Sequence, residues 1–178
     1  QFPEGPVAMA DGSIILVEIA RETLSRVTAD GRVEVIANMP GGPNGAALGP
    51  GGKMYVCNNG GFAWIRDRGT TRPILQNDGY IGGSIQVVDL HTGRFETMYT
   101  HCGDFALRGP NDIVFDAHGG FWFTDLGKRR PRDMDRGFVY WARDDGSEIR
   151  EVIGPIMTPN GVGLSPDGNR LYVAETET

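Results

Sequence analysis

The chain has 178 residues, a formal net charge of −6, 27 glycines and 11 prolines. This charge argues against a nucleic-acid partner, because neutralising phosphates requires a clustered basic surface. The basic cluster at residues 128–132 is followed at once by Asp133 and Asp135, so we predict a solvated loop there. No apolar run approaches the roughly 18 residues needed to span a bilayer. We therefore expect a protein without a membrane-spanning segment.

The two cysteines are predicted to be unpaired. Cys57 ends a predicted strand, whereas Cys102 lies in a separate loop. Free thiols fit a reducing compartment, and the sequence shows no secretory signal pattern. Together these features predict a cytoplasmic protein.

The first unit of the chain, about residues 4–40, reads as an antiparallel sheet. Its short apolar segments flank one turn at Asp11-Gly12 and another at Asp30-Gly31. Asp-Gly between alternating apolar residues is a strong hairpin signal. Two consecutive hairpins predict four strands and, with the turns that follow, an all-β protein.

The second unit, about residues 43–107, repeats this plan with an interruption. Its inner hairpin begins at residues 43–45 and ends at Asn58, and its outer hairpin occupies residues 84–99. The insertion between them, residues 59–83, carries aromatic and charged side chains. An insertion of this length is either a functional lid or a mobile loop, and the sequence leaves both open.

The third unit, about residues 110–156, contains the clearest hairpin. Apolar runs at 113–115 and 121–123 flank a turn at 118–120, and Asn111 and Asp125 lie at the open end. A polar insertion, 126–136, separates this hairpin from the outer one. The fourth unit, 159–178, contains an inner hairpin alone.

The four units align in register. Each begins with a polar residue, and a turn follows seven residues later. Four-stranded units that recur in this way predict the blades of a β-propeller, of which this chain supplies about three and a half. The second strand of each unit also ends in a polar residue. The leading residues are Glu4, Asn44, Asn111 and Asn160, and the later ones are Glu18, Asn58, Asp125 and Glu175.

This register predicts a ring of polar side chains at one mouth of a central channel. The first strand of each blade lines the channel and the second runs back beside it, so both sets lie on one face. Carboxylate and carboxamide oxygens suit Ca²⁺, with Mg²⁺, Mn²⁺ or Zn²⁺ as substitutes. The alternative is that such residues cap strand ends through backbone hydrogen bonds. We prefer that alternative for Asn44, Glu18 and Asn58.

Three stretches carry a family resemblance. They are Glu4-Gly5-Pro6, Pro-Asn-Asp-Ile-Val-Phe-Asp at 110–116 leading to Gly-Phe-Trp-Phe-Thr-Asp at 120–125, and Pro-Asn-Gly at 159–161 leading to 171–178. Each is weak alone, but together, in order and in register, they are specific. The chain resembles the SMP-30/gluconolactonase/luciferin-regenerating-enzyme family, including its bacterial lactonases, over essentially its whole length.

The resemblance implies a six-bladed propeller with a central divalent metal. Glu4 and Asn160 match metal ligands of the family, and Asn111 matches a residue that faces the metal, its water or the substrate. Arg108 lies near the position of a substrate-binding arginine, although at a different offset. Asp125 and Glu175 are candidates for supporting the ligands or for replacing the base.

The family's remaining ligand and general base is an aspartate that would follow Thr178, so we expect it to lie outside this chain. Six blades at these spacings need roughly 280–300 residues. An open half-propeller would expose strand edges and core. We therefore expect a second chain or a further segment to complete the propeller, and the 178-residue chain alone to bind metal weakly and to be inactive.

The function implied by the resemblance is calcium-dependent hydrolysis of a small-molecule lactone or ester. The metal would polarise the ring carbonyl, and a carboxylate would activate water. One alternative is a metal-independent enzyme of the strictosidine-synthase-like group; another is a non-catalytic propeller that serves as a binding scaffold. The sequence leaves open which lactone is used and whether an organophosphate is also hydrolysed.

Overall fold

The computed structural model describes residues 2–177, so Thr178, the last residue of the predicted fourth unit, lies outside the described part. The protein is all-β, as predicted. Its helical segments within that part are two single 3₁₀ turns, Ile19–Arg21 and Pro50–Gly52. No helix in residues 2–177 is long and apolar enough to cross a membrane.

The first two sheets each contain four antiparallel strands. In the first sheet the strands follow one another in chain order. In the second sheet the inner and outer pairs are hydrogen-bonded neighbours, but a hairpin formed by the insertion lies between them in the sequence. The first sheet consists of β1 (Pro3–Ala8), β2 (Ile14–Glu18), β3 (Thr23–Val27) and β4 (Val33–Asn38). The second region contains β5 (Pro43–Leu48), β6 (Met54–Asn58), the inserted hairpin β7 (Phe62–Asp67) and β8 (Thr70–Gln76), then β9 (Ser84–Val88) and β10 (Phe95–Tyr99).

A small hairpin precedes the third four-stranded sheet, and a two-stranded sheet follows it. The hairpin predicted around residues 118–120 is confirmed as the inner pair of the third sheet. The small hairpin is β11 (His101–Cys102) with β12 (Phe105–Ala106); the third sheet is β13 (Pro110–Phe115), β14 (Gly120–Asp125), β15 (Gly137–Arg143) and β16 (Ile149–Ile156); the last pair is β17 (Pro159–Leu164) with β18 (Leu171–Glu175).

The first strands of the sheets lie side by side. β1 contacts β5, β5 contacts β13 and β13 contacts β17. Glycine permits this close approach: a Cβ atom on Gly45 would lie 2.3 Å from the carbonyl oxygen of Asn111. Because the first strands are neighbours, their leading residues lie close together, as in the blades of a propeller.

The second sheet is buried on both faces. Successive residues of β6 point to opposite sides, because the side-chain period of a strand is two. Met54 and Val56 pack against the first sheet, whereas Tyr55 and Cys57 pack against the third, around Phe121. The core is therefore two apolar layers, one on each side of the second sheet.

The two thiols are unpaired, as predicted: Cys57 is buried and Cys102 is half-buried. Cys57 belongs to the apolar layer between the second and third sheets. Burial raises the pKa of its thiol well above the usual value, and Asp112 and Asp125 raise it further. Cys57 is therefore a packing residue in its neutral form.

The outward face of the first sheet exposes several apolar side chains to solvent. Its alternate residues face away from the second sheet, and the third sheet likewise exposes apolar residues on its last strand. The exposed set is Ile14, Val33 and Val35 in the first sheet, Val152 and Ile153 on β16, and Tyr172 on β18.

Candidate functional site

The four leading polar residues each follow the proline that begins their strand. A bulge lies directly after that proline in β5, β13 and β17, whereas in β1 it lies between Glu4 and Val7. Proline donates no hydrogen bond to the sheet and so fits a strand start, while a bulge turns a side chain out of its normal alternation. The residues at these bulges are Asn44, Asn111 and Asn160, whereas Glu4 pairs with Val17 immediately before the bulge of β1.

These four side chains line two adjacent spaces. One is a small pocket of about 210 Å³ whose other walls include the backbones of Gly5, Gly45 and Gly161. The second is a cavity of about 310 Å³ toward the mouth. We call the second space the mouth cavity. The structure therefore brings together the predicted site residues Glu4, Asn111 and Asn160.

Two carboxamides in the pocket have no side-chain hydrogen bond to any residue in the range 2–177: those of Asn44 and Asn111. Both residues are buried, each at 7 % exposure. Buried carboxamides normally find partners, so this pair can bind something that enters the pocket. The preference for Asn44 as a strand cap is wrong, because its side chain faces the cavity instead of bonding to backbone.

Asn160 is held in one orientation. Its Nδ2 donates to the hydroxyl of Thr176 at 2.8 Å. The amide end is thereby engaged, and the carbonyl oxygen Oδ1 remains as the group that can face a cation.

Glu4 contributes a carboxylate to the small pocket. It stays accessible to solvent, but partial loss of hydration raises its pKa. The backbone N–H of Gly5 lowers that pKa, and the negative charge of Asp112 raises it. A cation beside Glu4 would relieve both the desolvation and the repulsion.

Asp112 joins the third sheet to β17. Its Oδ1 accepts from the backbone N–H of Ile113, and its Oδ2 accepts from that of Val162, both at 2.9 Å. Burial raises the pKa of Asp112, and these two bonds oppose the shift. Because both oxygens are engaged, Asp112 positions the neighbouring strand.

The hydroxyl of Thr124 completes the same junction. It accepts from the backbone N–H of Asp112 at 3.1 Å and donates to the carbonyl oxygen of Asn160 at 2.5 Å. Thr124 is fully buried. This bridge fixes Asn160 relative to Asn111, which precedes Asp112.

Asp125 is a backbone anchor outside the pocket. Its Oδ2 accepts from the N–H of Arg108 at 2.7 Å, and its Oδ1 accepts from those of Gly109 and Gly127 at 2.6 and 2.9 Å. Burial raises the pKa of Asp125, and these bonds together with Lys128 lower it. A carboxylate with three backbone donors has its oxygens occupied.

Arg108 lies apart from Glu4. Its Nε donates to Asp135 at 3.3 Å, and its side chain lines a separate cavity beside the β11–β12 hairpin. The geometry therefore does not bring this arginine into the pocket with Glu4 and Asn160.

The strand-end residues Glu18 and Asn58 bond within their own sheets. Oε2 of Glu18 accepts from the hydroxyls of Thr23 and Ser25. Oδ1 of Asn58 accepts from Gly42 and Gly60, and its Nδ2 donates to the carbonyl oxygen of Pro40. The preference for a capping role is confirmed for Asn58, whereas Glu18 is held by side chains.

Glu175 behaves in a similar way. Its Oε2 accepts from the backbone N–H of Met157 at 3.1 Å. It is thus bonded at the start of β17, outside the residues that line the small pocket.

The insertion forms a wall of the mouth cavity. The hairpin β7–β8 contributes Phe62, Pro73, Ile74 and Leu75 to the lining. The backbone N–H of Gln76 donates to the carbonyl oxygen of Arg129 at 2.8 Å, which joins the insertion to the loop after β14. The insertion is therefore a paired hairpin that lines the cavity.

Lys128 corrects the prediction of a solvated loop at residues 128–132. It is 1 % exposed and lines the mouth cavity. Its Nζ donates to Oδ1 of Asn59 and to the carbonyl oxygen of Gly61, each at 2.9 Å, and lies 3.8 Å from the ring centroid of Phe62. A single lysine within a basic run carries no local signal of burial, because the insertion that covers it is distant in sequence.

The oxygen donors of the small pocket are of the type that binds a hard divalent cation, but in the described part of the chain they include a single available carboxylate, that of Glu4. Within residues 2–177, no group of three His, Cys, Asp or Glu side chains converges as a metal site. The pocket offers the Glu4 carboxylate and the Asn111 and Asn160 carboxamides. Oxygen donors of this kind suit Ca²⁺ better than a softer metal.

Antiparallel four-stranded sheets with adjacent first strands around a polar pocket define the class of this protein: its fold is consistent with part of a β-propeller. The chain belongs to the SMP-30/Gluconolactonase/LRE-like family, whose sequence profile matches residues 2–178. This confirms the resemblance found from the sequence.

Two relatives illustrate the match. The chain is 26 % identical to a gluconolactonase of Zymomonas mobilis subsp. mobilis over 99 % of its own length and 49 % of the relative's. It is 29 % identical to lactonase drp35 of Staphylococcus haemolyticus over 98 % of its own length and 48 % of that protein's. The chain thus spans about half the length of these relatives.

Two solved structures share the fold. A gluconolactonase of Xanthomonas campestris superposes with a TM-score of 0.74 at 24 % identity, covering 98 % of this chain and 54 % of the other. The calcium-binding protein regucalcin of Agrobacterium tumefaciens gives 0.70 at 19 % identity, covering 98 % and 50 %.

Proposed function

We propose that this protein is part of a metal-dependent hydrolase that opens lactones. The observation that carries the proposal is the convergence of Glu4, Asn111 and Asn160 on one pocket, with the Asn111 carboxamide unpaired within residues 2–177. The names of the two relatives, a gluconolactonase and a lactonase, support the same reaction.

In this proposal Glu4 and Asn160 hold the metal, and Asn111 either completes the ligand set or orients substrate or water. Ca²⁺ is the preferred ion for such oxygens, with Mg²⁺, Mn²⁺ or Zn²⁺ as substitutes. A bound cation of this type would polarise the lactone carbonyl. The calcium-binding regucalcin that shares the fold agrees with this choice.

The chain's residues also have defined tasks in positioning. Thr176 engages the amide end of Asn160, which leaves Oδ1 available to a cation in the pocket. The bridge through Thr124 sets the separation between Asn160 and the β13 strand that carries Asn111. Ligands held by such bonds lose less freedom when they bind an ion.

The general base is proposed to come from outside these residues. The carboxylates of Asp112 and Asp125 are occupied by backbone donors, and that of Glu4 is assigned to the metal. Asp125 would support the site by fixing the backbone at Arg108 and Gly109. Arg108 would approach a substrate after its bond to Asp135 is released.

We also propose that further blades complete a six-bladed propeller. The blades in this chain are about 4–40, 43–107 with the insertion 59–83, 110–156 and the incomplete 159–178. Exposed apolar residues on the first sheet and on β18 support a covering partner, since such faces are normally buried. An intact mass of the natural protein that matched this chain alone, as a stable monomer, would contradict the proposal.

The test of function uses the longest natural form of the protein. A chromogenic or pH-based lactone assay is followed during a Ca²⁺ titration after treatment with a chelator. Glu4→Gln and Asn160→Ala are expected to lower Ca²⁺ affinity and hydrolysis together by at least tenfold. The matched controls, at exposed positions, are Glu22→Gln and Asn38→Ala.

Unchanged hydrolysis in Glu4→Gln would exclude the metal mechanism. Metal binding without hydrolysis of any lactone would instead support a binding scaffold.

A further inference from the structure

Lys128 is a buried lysine in the wall of the same cavity as the proposed ligands. It lines the mouth cavity, as do Glu4, Asn111 and Asn160. Lysine is almost never fully buried in proteins unless its charge is paired. The charge balance around this ammonium group therefore indicates what the cavity binds.

The ammonium has three donors, and two of them have oxygen acceptors in residues 2–177. These acceptors are Oδ1 of Asn59 and the carbonyl oxygen of Gly61. The rings of Phe62 and Tyr80 lie 3.8 and 5.4 Å from Nζ and provide further, weaker contacts. Both oxygen partners are uncharged, so they satisfy hydrogen bonds without balancing the positive charge.

The charged groups nearby are engaged elsewhere. Asp125 accepts three backbone N–H bonds. Asp135 forms an ion pair with Arg130 at 2.8 Å. Neither acid lies within ion-pair distance of Nζ, although both raise the pKa of Lys128 through space.

The ionisable groups of the mouth cavity are also accounted for. Arg129 pairs with Glu177 at 3.3 Å, and Glu4 belongs to the proposed metal pocket. Tyr80, whose ring lies near Nζ outside the cavity lining, has its pKa raised by burial to about 12 and stays neutral. Within the described part, Lys128 is thus a buried cation without a counter-ion.

The pKa of Lys128 reflects the missing counter-ion. Burial lowers the pKa of Lys128 to about 7, despite the opposing influence of Asp125 and Asp135. An anion placed against Nζ would raise that pKa again and would draw a proton from solution.

We propose that Lys128 binds a negatively charged group of the substrate, so that the protein acts on lactones that carry a carboxylate remote from the ring carbonyl. This inference rests on the proposed lactonase function and adds the substrate class. The cavity, at about 310 Å³, is of a size that holds a small molecule. Apolar walls at Ile74, Leu75 and Met134 lower the local dielectric and strengthen such a pair.

The test compares two lactones that differ only in charge. One is a γ-lactone with a carboxymethyl substituent, and the other is its primary amide. With the longest natural form of the protein and saturating Ca²⁺, kcat/KM is expected to favour the acid by about 10- to 150-fold, as for a charge-assisted hydrogen bond. The preference should decline above pH 7, because Lys128 of the free protein then loses its proton.

Lys128→Met should reduce the acid-to-amide ratio to near one, whereas the chain's other lysine, exposed at Lys53, provides a control in Lys53→Met that keeps the ratio. Melting temperatures of both variants report whether they fold. An acid-to-amide ratio that is the same in the natural protein and in folded Lys128→Met would overturn the inference.

A binding measurement on the natural protein avoids dependence on turnover and on variants. Calorimetric titration with the ring-opened hydroxy-dicarboxylate at pH 7, in buffers of different ionisation enthalpy, should show uptake of about half a proton per ligand. Binding without proton uptake, or no preference over the matching amide, would refute the role of Lys128. Hydrolysis of neither lactone, with proton-coupled binding retained, would refute the lactonase proposal and keep the anion site.

Discussion

Replacing Thr124 by valine tests whether the buried bridge between β13, β14 and β17 holds the proposed site together. Valine has nearly the shape of threonine, so it removes the hydroxyl with little change in packing. The Thr124 hydroxyl accepts from Asp112 and donates to Asn160. The substitution therefore leaves one backbone N–H and one carbonyl without these partners.

The magnitude follows from those two groups. Each buried polar group left unsatisfied costs about 1–3 kcal/mol, so a loss of about 3 kcal/mol in the free energy of unfolding is a central expectation. For a chain of this size, that loss corresponds to a fall of about 6–12 °C in melting temperature. Ca²⁺ affinity should fall about 10- to 100-fold, as when outer partners of metal ligands are removed.

The assay combines differential scanning calorimetry with a Ca²⁺ titration of the folded protein. Thr97→Val is the matched control, since Thr97 is exposed on β10 and forms no side-chain hydrogen bond to residues 2–177. A melting temperature within 1 °C of the natural protein would refute the structural role of the hydroxyl. A clear loss of stability with unchanged Ca²⁺ affinity would refute its coupling to Asn160.

Three further perturbations address other parts of the structure. Asp125→Asn places an amide group where backbone N–H groups now donate, so it should lower the free energy of unfolding, measured by urea titration, by about 2–4 kcal/mol. Asp104→Asn, at an exposed position, is its control. Equal stability of the two variants would contradict the anchoring role of Asp125. Gly45→Ala would place a Cβ atom 2.3 Å from the Asn111 carbonyl oxygen. This overpacking should lower the free energy of unfolding by about 1–3 kcal/mol and weaken Ca²⁺ binding. In the control Gly163→Ala the new Cβ atom meets no other atom within 4 Å, so neither quantity should change. Between pH 7 and 10 the unfolded chain keeps the Lys128 proton that the folded chain has lost. Stability of the natural protein should therefore rise relative to Lys128→Met by up to about 4 kcal/mol across this range, and parallel pH profiles would argue against the lowered pKa.

The hairpins are the part of the fold that local sequence could predict. Apolar residues on both sides of the turn at 118–120 have the period of a strand, and β13 pairs with β14 as expected. The same argument applies around Asp11-Gly12, where β1 pairs with β2. Such pairings depend on residues close in sequence, so their signal survives in the sequence alone.

The sequence predicted only those residues of the candidate site that occupy equivalent positions in the repeated units. Glu4, Asn111 and Asn160 stand at equivalent places in three units, and the structure brings them to one pocket. Asn44 occupies the equivalent position in the second unit, yet the repeat did not predict whether its side chain bonds to backbone groups. Whether a carboxamide caps a strand or faces a cavity depends on the backbone groups that neighbouring sheets leave within its reach.

The sequence by itself determined the all-β class, the repeating four-stranded pattern, the family and three of the side chains proposed for the site. These features follow from periodicity and turn chemistry, which are local, or from matching residues. Only the tertiary structure decided that Lys128 is buried, because its cover comes from Asn59, Gly61 and Phe62 across the inserted hairpin. Burial and charge balance depend on contacts between distant segments, and these set the chemistry that the mouth cavity offers.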